Sequence, residues 1–220
     1  AKTSSRISWK LTFCPVVTLA SFLTSVQYSV MIVLNRSDEG KLSMRFDANE
    51  CRAVPWKNGG GVTRELAARE GDAGIIWRLS LADIERDGRF SVFPGQARIH
   101  TIVSGCGLIL SGTDVSLGAE PLRPVSFDGG LALTGQLHNG PSQALNLIYD
   151  PHKIRAHVNV HQAEGGIRLG REALIFVVSG TAVCSGHDVF HTGQGAALCG
   201  DFELSISGGS QIIVVTLEPI

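Results

Sequence analysis

The densest cluster of polar groups in the chain lies in residues 55–65, which read PWKNGGGVTRE. Three consecutive glycines can bring backbone N–H groups close to an anion, and Lys57, Asn58 and Arg64 add side-chain donors beside them. The segment therefore predicts a site for a carboxylate or a phosphate. It lacks the spacing of a P-loop and of a dinucleotide-binding fingerprint, which argues against nucleotide binding. The alternative is a glycine-rich turn in which Trp56 packs into the core.

Two later segments bring further polar side chains together through strand alternation. If residues 77–83 form one strand, Arg78 and Ser80 share a face of it. By the same period, Arg98 and His100 share a face of a second strand. Inside a small β-barrel these side chains would form a polar pocket, where a guanidinium is the favoured partner of a planar carboxylate. The alternative is that the arginines lie on the solvent face, their commoner position.

Metal-binding and catalytic motifs give weaker signals. Two His-x-x-x-His pairs occur, His157 with His161 and His187 with His191. Four residues along a strand separate two imidazoles by about 13 Å, so we expect no metal site and no cofactor. No G-x-S-x-G nucleophile motif is present. Acid–base catalysis by Glu65 or His100 stays open, because a closed pocket can shift either pKa.

These side chains must be positioned by β-structure. From Met44 onward, roughly ten short runs alternate in polarity or are rich in β-branched residues, and no convincing helix exceeds two turns. Turns rich in Gly, Asn and Asp recur at intervals suited to hairpins. The pattern predicts an all-β sandwich or barrel.

A faint internal repeat accompanies the strands. Residues 102–107 read IVSGCG and residues 177–182 read VVSGTA, each a β-run closed by a V-S-G turn. The spacing favours two related β-units, although a shared turn is also compatible with coincidence.

Composition limits the partners. Lys and Arg number 19 against 20 Asp and Glu, without a basic tract, so we expect no nucleic-acid partner. Five cysteines, an odd number without a C-x-x-C pair, indicate a reducing compartment, and we expect a cytoplasmic protein. Exposed edge strands make a homodimer conceivable.

Residues 1–43 differ from the rest in composition. They contain one of the 26 glycines and carry five basic and two acidic side chains. The stretch from Leu11 to Leu34 is uncharged and mostly apolar, which is compatible with a signal peptide or a membrane anchor. Polar interruptions and the lack of a clear cleavage site favour an N-terminal extension outside the core fold, with Met44 as the natural start, and make membrane binding the weaker interpretation.

Three motifs carry a family resemblance: CRAVPWKNGGGVTREL from Cys51, WRLSLADI from Trp77 and DGRFSVFPG from Asp87. Shorter matches follow at Pro121 and Asn139. Residues 44–220 resemble the HutD/Ves family. The resemblance implies a cupin-type (RmlC-like) β-barrel fold with two barrel halves, a bicupin, divided at about 44–140 and 141–220.

The resemblance also implies a function and a site. It implies an accessory or regulatory role in histidine utilisation or a related stress response, through a small carboxylate metabolite. The implied pocket residues are Trp56, Lys57, Asn58, Arg64, Glu65, Arg78, Ser80 and Arg98. Two alternatives stay open: a metal-independent isomerase, lyase or hydrolase using the same pocket, and a structural or protein-binding β-domain.

The chain departs from the family pattern close to these residues. Gly88-Arg89-Phe90-Ser91 stands where the family usually has G-P-F-S, and His100 stands where an apolar residue is usual. Ala97 replaces the acidic residue that commonly precedes Arg98. Arg98 therefore lacks an acidic orienting partner at that position.

Overall fold

The computed structural model describes residues 34–36, 42–72, 74–170, 172–185 and 188–220. Over these ranges the backbone forms strands, turns and loops without a helix, as the alternation predicts. The strands are β1 (Leu34–Arg36), β2 (Leu42–Asp47), β3 (Ala53–Pro55), β4 (Gly61–Gly71), β5 (Gly74–Ile84), β6 (Gly88–Arg89), β7 (Ala97–Ser104), β8 (Leu108–Ser111), β9 (Ser116–Ala119), β10 (Val125–Asp128), β11 (Thr134–Leu137), β12 (Ser142–Tyr149), β13 (Ile154–His161), β14 (Gly165–Leu169), β15 (Glu172–Ser179), β16 (Thr181–Cys184), β17 (Asp188–His191), β18 (Gln194–Cys199), β19 (Phe202–Ile206) and β20 (Gln211–Pro219).

The strands assemble into two large and two small sheets. The first large sheet has the order β10-β7-β12-β5-β4-β3, and the first small sheet has the order β6-β11-β8-β9. The second large sheet has the order β1-β2-β18-β15-β20-β13, and the second small sheet has the order β14-β19-β16-β17. Neighbouring strands within each sheet are antiparallel, so one face can be apolar while the other carries polar groups.

The two pairs of sheets repeat one strand order. β10-β7-β12-β5 corresponds to β18-β15-β20-β13, and the small sheets match strand for strand. The V-S-G turns end the equivalent strands β7 and β15. Gly105 (φ 87°) and Gly180 (φ 83°) both adopt left-handed backbone conformations, and a Cβ there would lie 2.7 Å from Ser142 Oγ and 2.3 Å from Ser210 Oγ, respectively. The faint sequence repeat therefore marks a repeated structural unit, whose turns have room only for glycine.

Three apolar layers hold the sheets together. The two large sheets pack back to back through a core that includes Trp77, Leu79, Leu174 and Ile213. A second core fills the space between the second large and small sheets, and a third lies between the first large and small sheets. Each large sheet is thus covered on both faces, and the side chain period of two decides which layer a residue joins.

Strand pairing shows which sheet the residues near the two expected boundaries join. β1 pairs with β2, and β2 pairs with β18, so residues 34–36 and 42–43 are part of the second large sheet. β12 pairs with β5 and β7, so it is part of the first large sheet. Backbone pairing across long separations leaves no mark on local composition.

The proposed signal or anchor segment lies, up to residue 33, outside the described residues. Within the described part of the chain, we find no helix with the length and hydropathy required to span a bilayer.

Candidate functional site

A cavity of about 1000 Å³ lies in the first half of the molecule, on the face of the first large sheet that points away from the back-to-back core. Apart from those of β3, the residues of the first large sheet that line it are Thr63, Glu65 and Glu70 from β4, Arg78, Ser80 and Ala82 from β5, Asn146 and Ile148 from β12, and Arg98 from β7. Residues 52–58 and the loop around Phe90 complete the lining. The structure thus brings Arg78, Ser80, Glu65 and Arg98 together at one cavity.

Arg98 is the most buried cation in the cavity, with 8% of its surface exposed. Its Nε and Nη2 atoms donate to Asn146 Oδ1 at 3.1 and 2.7 Å. Its guanidinium carbon lies 4.9 Å from the centre of the Phe90 ring and 5.5 Å from that of Phe127. Burial, and to a lesser extent the charge of Arg78, lowers the pKa of Arg98 to about 10, which leaves it cationic at neutral pH.

His100 lies beneath Arg98 and has no exposed surface. Its Nδ1 is 2.7 Å from the same Asn146 oxygen, and its ring packs edge-on against Phe90. Burial, reinforced by the charge of Arg98, lowers the pKa of His100 to about 3. A neutral imidazole facing a carbonyl oxygen must carry its proton on Nδ1, so Nε2 is an unprotonated acceptor without a hydrogen-bond partner. His100 is therefore poorly suited to acid–base catalysis near neutral pH.

Arg78 is the part-buried cation next to Arg98 in the cavity. Its Nε lies 3.8 Å from Glu65 Oε2, an ion-pair distance that is too long for a hydrogen bond, and this Nε is buried without a hydrogen-bond partner. The guanidinium carbon lies 5.5 Å from the centre of the Phe93 ring. Arg78 thus retains donor capacity toward the cavity.

The glycine-rich loop contributes side chains to the cavity, while its amides serve the loop itself. Trp56 Nε1 donates to Thr63 Oγ1 at 2.7 Å, and the amide of Gly59 donates to the Trp56 carbonyl. The amide of Gly60 donates to Asn58 Oδ1 at 3.0 Å. The amides of these two glycines are thus engaged within the turn, which favours the turn interpretation over a backbone anion site. Trp56, Asn58 and the exposed Lys57 still line the cavity.

Arg64 is the one predicted pocket residue that does not line the cavity. It forms an ion pair with Asp83 on the opposite face of the first large sheet. The period of two explains its position, because Thr63 and Glu65 face the cavity and the residue between them must face away. Arg64 is a site candidate in the sequence as a donor beside the three glycines and through the family resemblance.

The equivalent space in the second half is filled with apolar side chains. When Gly105 is aligned with Gly180, Ala173 and Ile175 occupy the positions of Arg98 and His100. When Ser142 is aligned with Ser210, Val214 occupies the position of Asn146. All three are buried in the second apolar core. The polar cavity is therefore a feature of the first half within the described residues.

Asn146 is the main site residue that sequence reasoning missed. It stands within the apolar run ALNLI of β12, next to His100 on one neighbouring strand and Ser80 on the other. A lone amide in a run of buried side chains is the available signal, because a buried polar group needs hydrogen-bond partners.

The charge balance of the cavity defines its chemistry. Arg98 forms no ion pair with any carboxylate of the described residues, and it lies close enough to Arg78 for mutual repulsion. An anion between the two guanidinium groups would relieve that repulsion. No group of three or more potential metal ligands occurs in the described ranges.

Comparison with known structures identifies the fold as cupin-type. Oxalate decarboxylase from Lactobacillus farciminis, solved as a formate complex, superposes with a TM-score of 0.57 at 11% identity and covers 80% of this chain and 86% of its own. The chain belongs to the HutD family, because the family model HutD matches residues 48–213.

Individual relatives agree with this assignment. HutD from Pseudomonas fluorescens SBW25, solved in a formate condition, superposes with a TM-score of 0.69 at 28% identity, over 80% of this chain and 99% of that one. Protein Ves from Escherichia fergusonii is 32% identical over 69% of this chain and 80% of its own. An uncharacterized 21.2 kDa protein from the hutC 3' region of Pseudomonas putida is 38% identical over half of this chain and 60% of its own length.

Proposed function

We propose that the protein binds a small carboxylate metabolite in this cavity and acts, without catalysis, as an accessory or regulatory component of histidine utilisation. One observation carries the proposal: the buried Arg98 guanidinium has a neutral amide for its hydrogen-bond partner and the Arg78 guanidinium for its neighbour. A buried cation without an anionic partner is costly, and a carboxylate supplies a matching charge and geometry.

Aromatic rings favour a small planar acid. Trp56, Phe90 and Phe93 line the cavity, so the ligand contacts ring surface as well as guanidinium groups. The names of the relatives, HutD and the hutC-region protein, support the link to histidine utilisation. The odd number of cysteines without a C-x-x-C pair supports a reducing compartment such as the cytoplasm.

A thermal-shift screen tests the proposal. The panel comprises histidine, urocanate, formiminoglutamate, N-formylglutamate, glutamate and formate. An acid present at about one hundred times its Kd adds about 2.7 kcal/mol to the free energy of unfolding, which raises Tm by about 5–10 °C for a chain of this size. Fluorescence of Trp56, which lines the cavity, provides an independent readout of binding.

Two arginine variants make a matched pair. The side chains of Arg78 and Arg64 are 26% and 25% exposed, but only Arg78 lines the cavity. We expect Arg78→Ala to lose the ligand-induced shift and Arg64→Ala to retain it. Equal loss in both variants, or no shift with any acid in the parent, would contradict carboxylate binding and favour a protein partner.

Turnover separates the binding protein from an enzyme. Glu65 is the acid–base candidate that lines the cavity, whereas His100 is neutral and buried below it. We expect NMR spectra of each acid to stay unchanged during incubation with the protein. Consumption of one acid, abolished in Glu65→Gln, would replace the binding proposal with the enzymatic one.

A further inference from the structure

Asn146 lies at the centre of the hydrogen-bond network beneath the cavity. Its side chain is buried, with 3% of the residue exposed. The Oδ1 atom faces Arg98 Nε at 3.1 Å, Arg98 Nη2 at 2.7 Å and His100 Nδ1 at 2.7 Å. The Nδ2 atom donates to the carbonyl of Ala144 at 3.3 Å, so the amide presents its oxygen, and not its nitrogen, to the guanidinium.

This arrangement leaves a defined part of Arg98 available. A guanidinium has five N–H donors, and the bonds to Asn146 engage one on Nε and one on Nη2. Phe90 and Phe127 lie near the guanidinium at cation–π distances. The donors on Nη1, and the second donor on Nη2, are therefore those that an incoming carboxylate can use.

The neutral charge of the partner is as important as its position. A carboxylate on β12 would hold the same two nitrogens, but it would also neutralise Arg98 from within the protein. The amide of Asn146 orients the guanidinium and leaves its charge uncompensated. His100 donates to the same oxygen as a neutral imidazole, so it adds no second positive charge.

We propose that Asn146 is a positioning residue that holds Arg98 through a neutral oxygen, so that the Arg98 charge and its Nη donors stay available to the ligand carboxylate. The inference rests on the proposed function, because it requires an anion to bind in the cavity. It adds the residue that fixes the specificity of the site for an anionic group.

The test exchanges the amide for a carboxylate. In Asn146→Asp, Arg98 gains an internal partner, so we expect the Kd for urocanate and N-formylglutamate, measured by isothermal titration calorimetry, to rise about ten-fold or more. We expect the Tm of the unliganded variant to stay at or above that of the parent. A residue needed only for folding would lower Tm and leave the affinity of the folded fraction unchanged.

Asn58→Asp is the matched control. It places the same new charge at the same cavity, and its oxygen can still accept from the Gly60 amide. We expect a much smaller loss of affinity than in Asn146→Asp, because Asn58 does not contact Arg98. Equal losses in the two variants would overturn the inference, since a general charge effect would then explain both.

A spectroscopic measurement covers the case in which Asn146→Asp fails to fold. In ¹⁵N spectra of the unliganded parent, we expect a resolved Arg98 Nε–H signal that exchanges slowly with solvent, and we expect Asn146→Ala to lose it. An unchanged signal in Asn146→Ala overturns the inference, as does unchanged affinity in Asn146→Asp. If the parent binds neither acid, the proposed function fails first and the inference fails with it.

Discussion

Glu172 joins the two halves of the molecule through one buried carboxylate. It lies at the start of β15 in the second large sheet, and both of its oxygens have partners in the first. Oε2 lies 2.5 Å from Arg69 Nη1, and Oε1 accepts from Trp77 Nε1 at 2.8 Å. Because Arg69 and Trp77 are cross-strand neighbours, a single side chain is held by two adjacent strands. We expect Glu172→Ala to destabilise the whole fold.

The magnitude follows from the burial of the pair. Removing one member of a buried ion pair costs about 3–5 kcal/mol, because the other charge loses its compensation. The Arg69 side chain is 22% exposed, so water can solvate part of it after the change. The expected loss is therefore at the lower end, about 3 kcal/mol, equivalent to a fall in Tm of about 6–12 °C.

Urea unfolding followed by circular dichroism measures this loss. Glu172→Gln is the informative second variant, because its amide oxygen can still accept from Trp77 while the charge opposite Arg69 is gone. We expect Glu172→Gln to lower the free energy of unfolding, but by less than Glu172→Ala does. A double-mutant cycle with Arg69→Ala isolates the pair, and the expected coupling is about 1 kcal/mol or more.

A destabilisation of less than about 0.5 kcal/mol in Glu172→Ala would refute this reasoning, since that is the range of ordinary surface substitutions. Strict additivity of the Arg69 and Glu172 changes would refute the contribution of the pair even if each variant were destabilised.

Two further outcomes are expected. The folded-state pKa of His100 is about 3, below its ordinary value of 6.5. Below about pH 6.5 the unfolded chain therefore binds a proton that the folded chain does not. The free energy of unfolding should fall by about 2 kcal/mol from pH 6.5 to pH 5. Urea unfolding at both pH values should show a clearly smaller fall for His100→Gln, and equal falls would contradict the assignment. A Cβ on Gly61 would lie 2.1 Å from the Asp83 carbonyl oxygen, so Gly61→Ala should cost about 1–3 kcal/mol, measured by thermal unfolding. Gly118→Ala, where a Cβ meets no atom within 4 Å, should be nearly neutral, and similar losses at both positions would contradict the steric argument.

Local sequence reasoning succeeded where a period of two decides the outcome. Arg78 and Ser80 share a face of β5, and Arg98 shares a face of β7 with His100, as alternation predicts. These features depend on the geometry of one strand, which the sequence contains in full.

Other features depend on which strands become neighbours. Asn146 acquires its role only because β12 pairs with β7 and places the amide beside His100. The pairing of β2 with β18 likewise joins residues about 150 positions apart in the chain, a separation at which local propensity carries no information. Arg64 adjoins cavity residues in the sequence, yet strand alternation turns it to the opposite face, where it pairs with Asp83.

The repeated strand order lets one chain combine a unit that contains a polar cavity with a unit whose interior is fully packed. When a structural unit is repeated, one unit can keep a polar cavity, which lowers the stability of the fold. The other unit can fill the same space with apolar side chains. Three equivalent positions show this difference: the first half has Arg98, His100 and Asn146, and the second half has Ala173, Ile175 and Val214. The apolar half then supports the half that contains the cavity, and the described part of the chain has one polar cavity of this kind for the two repeated units.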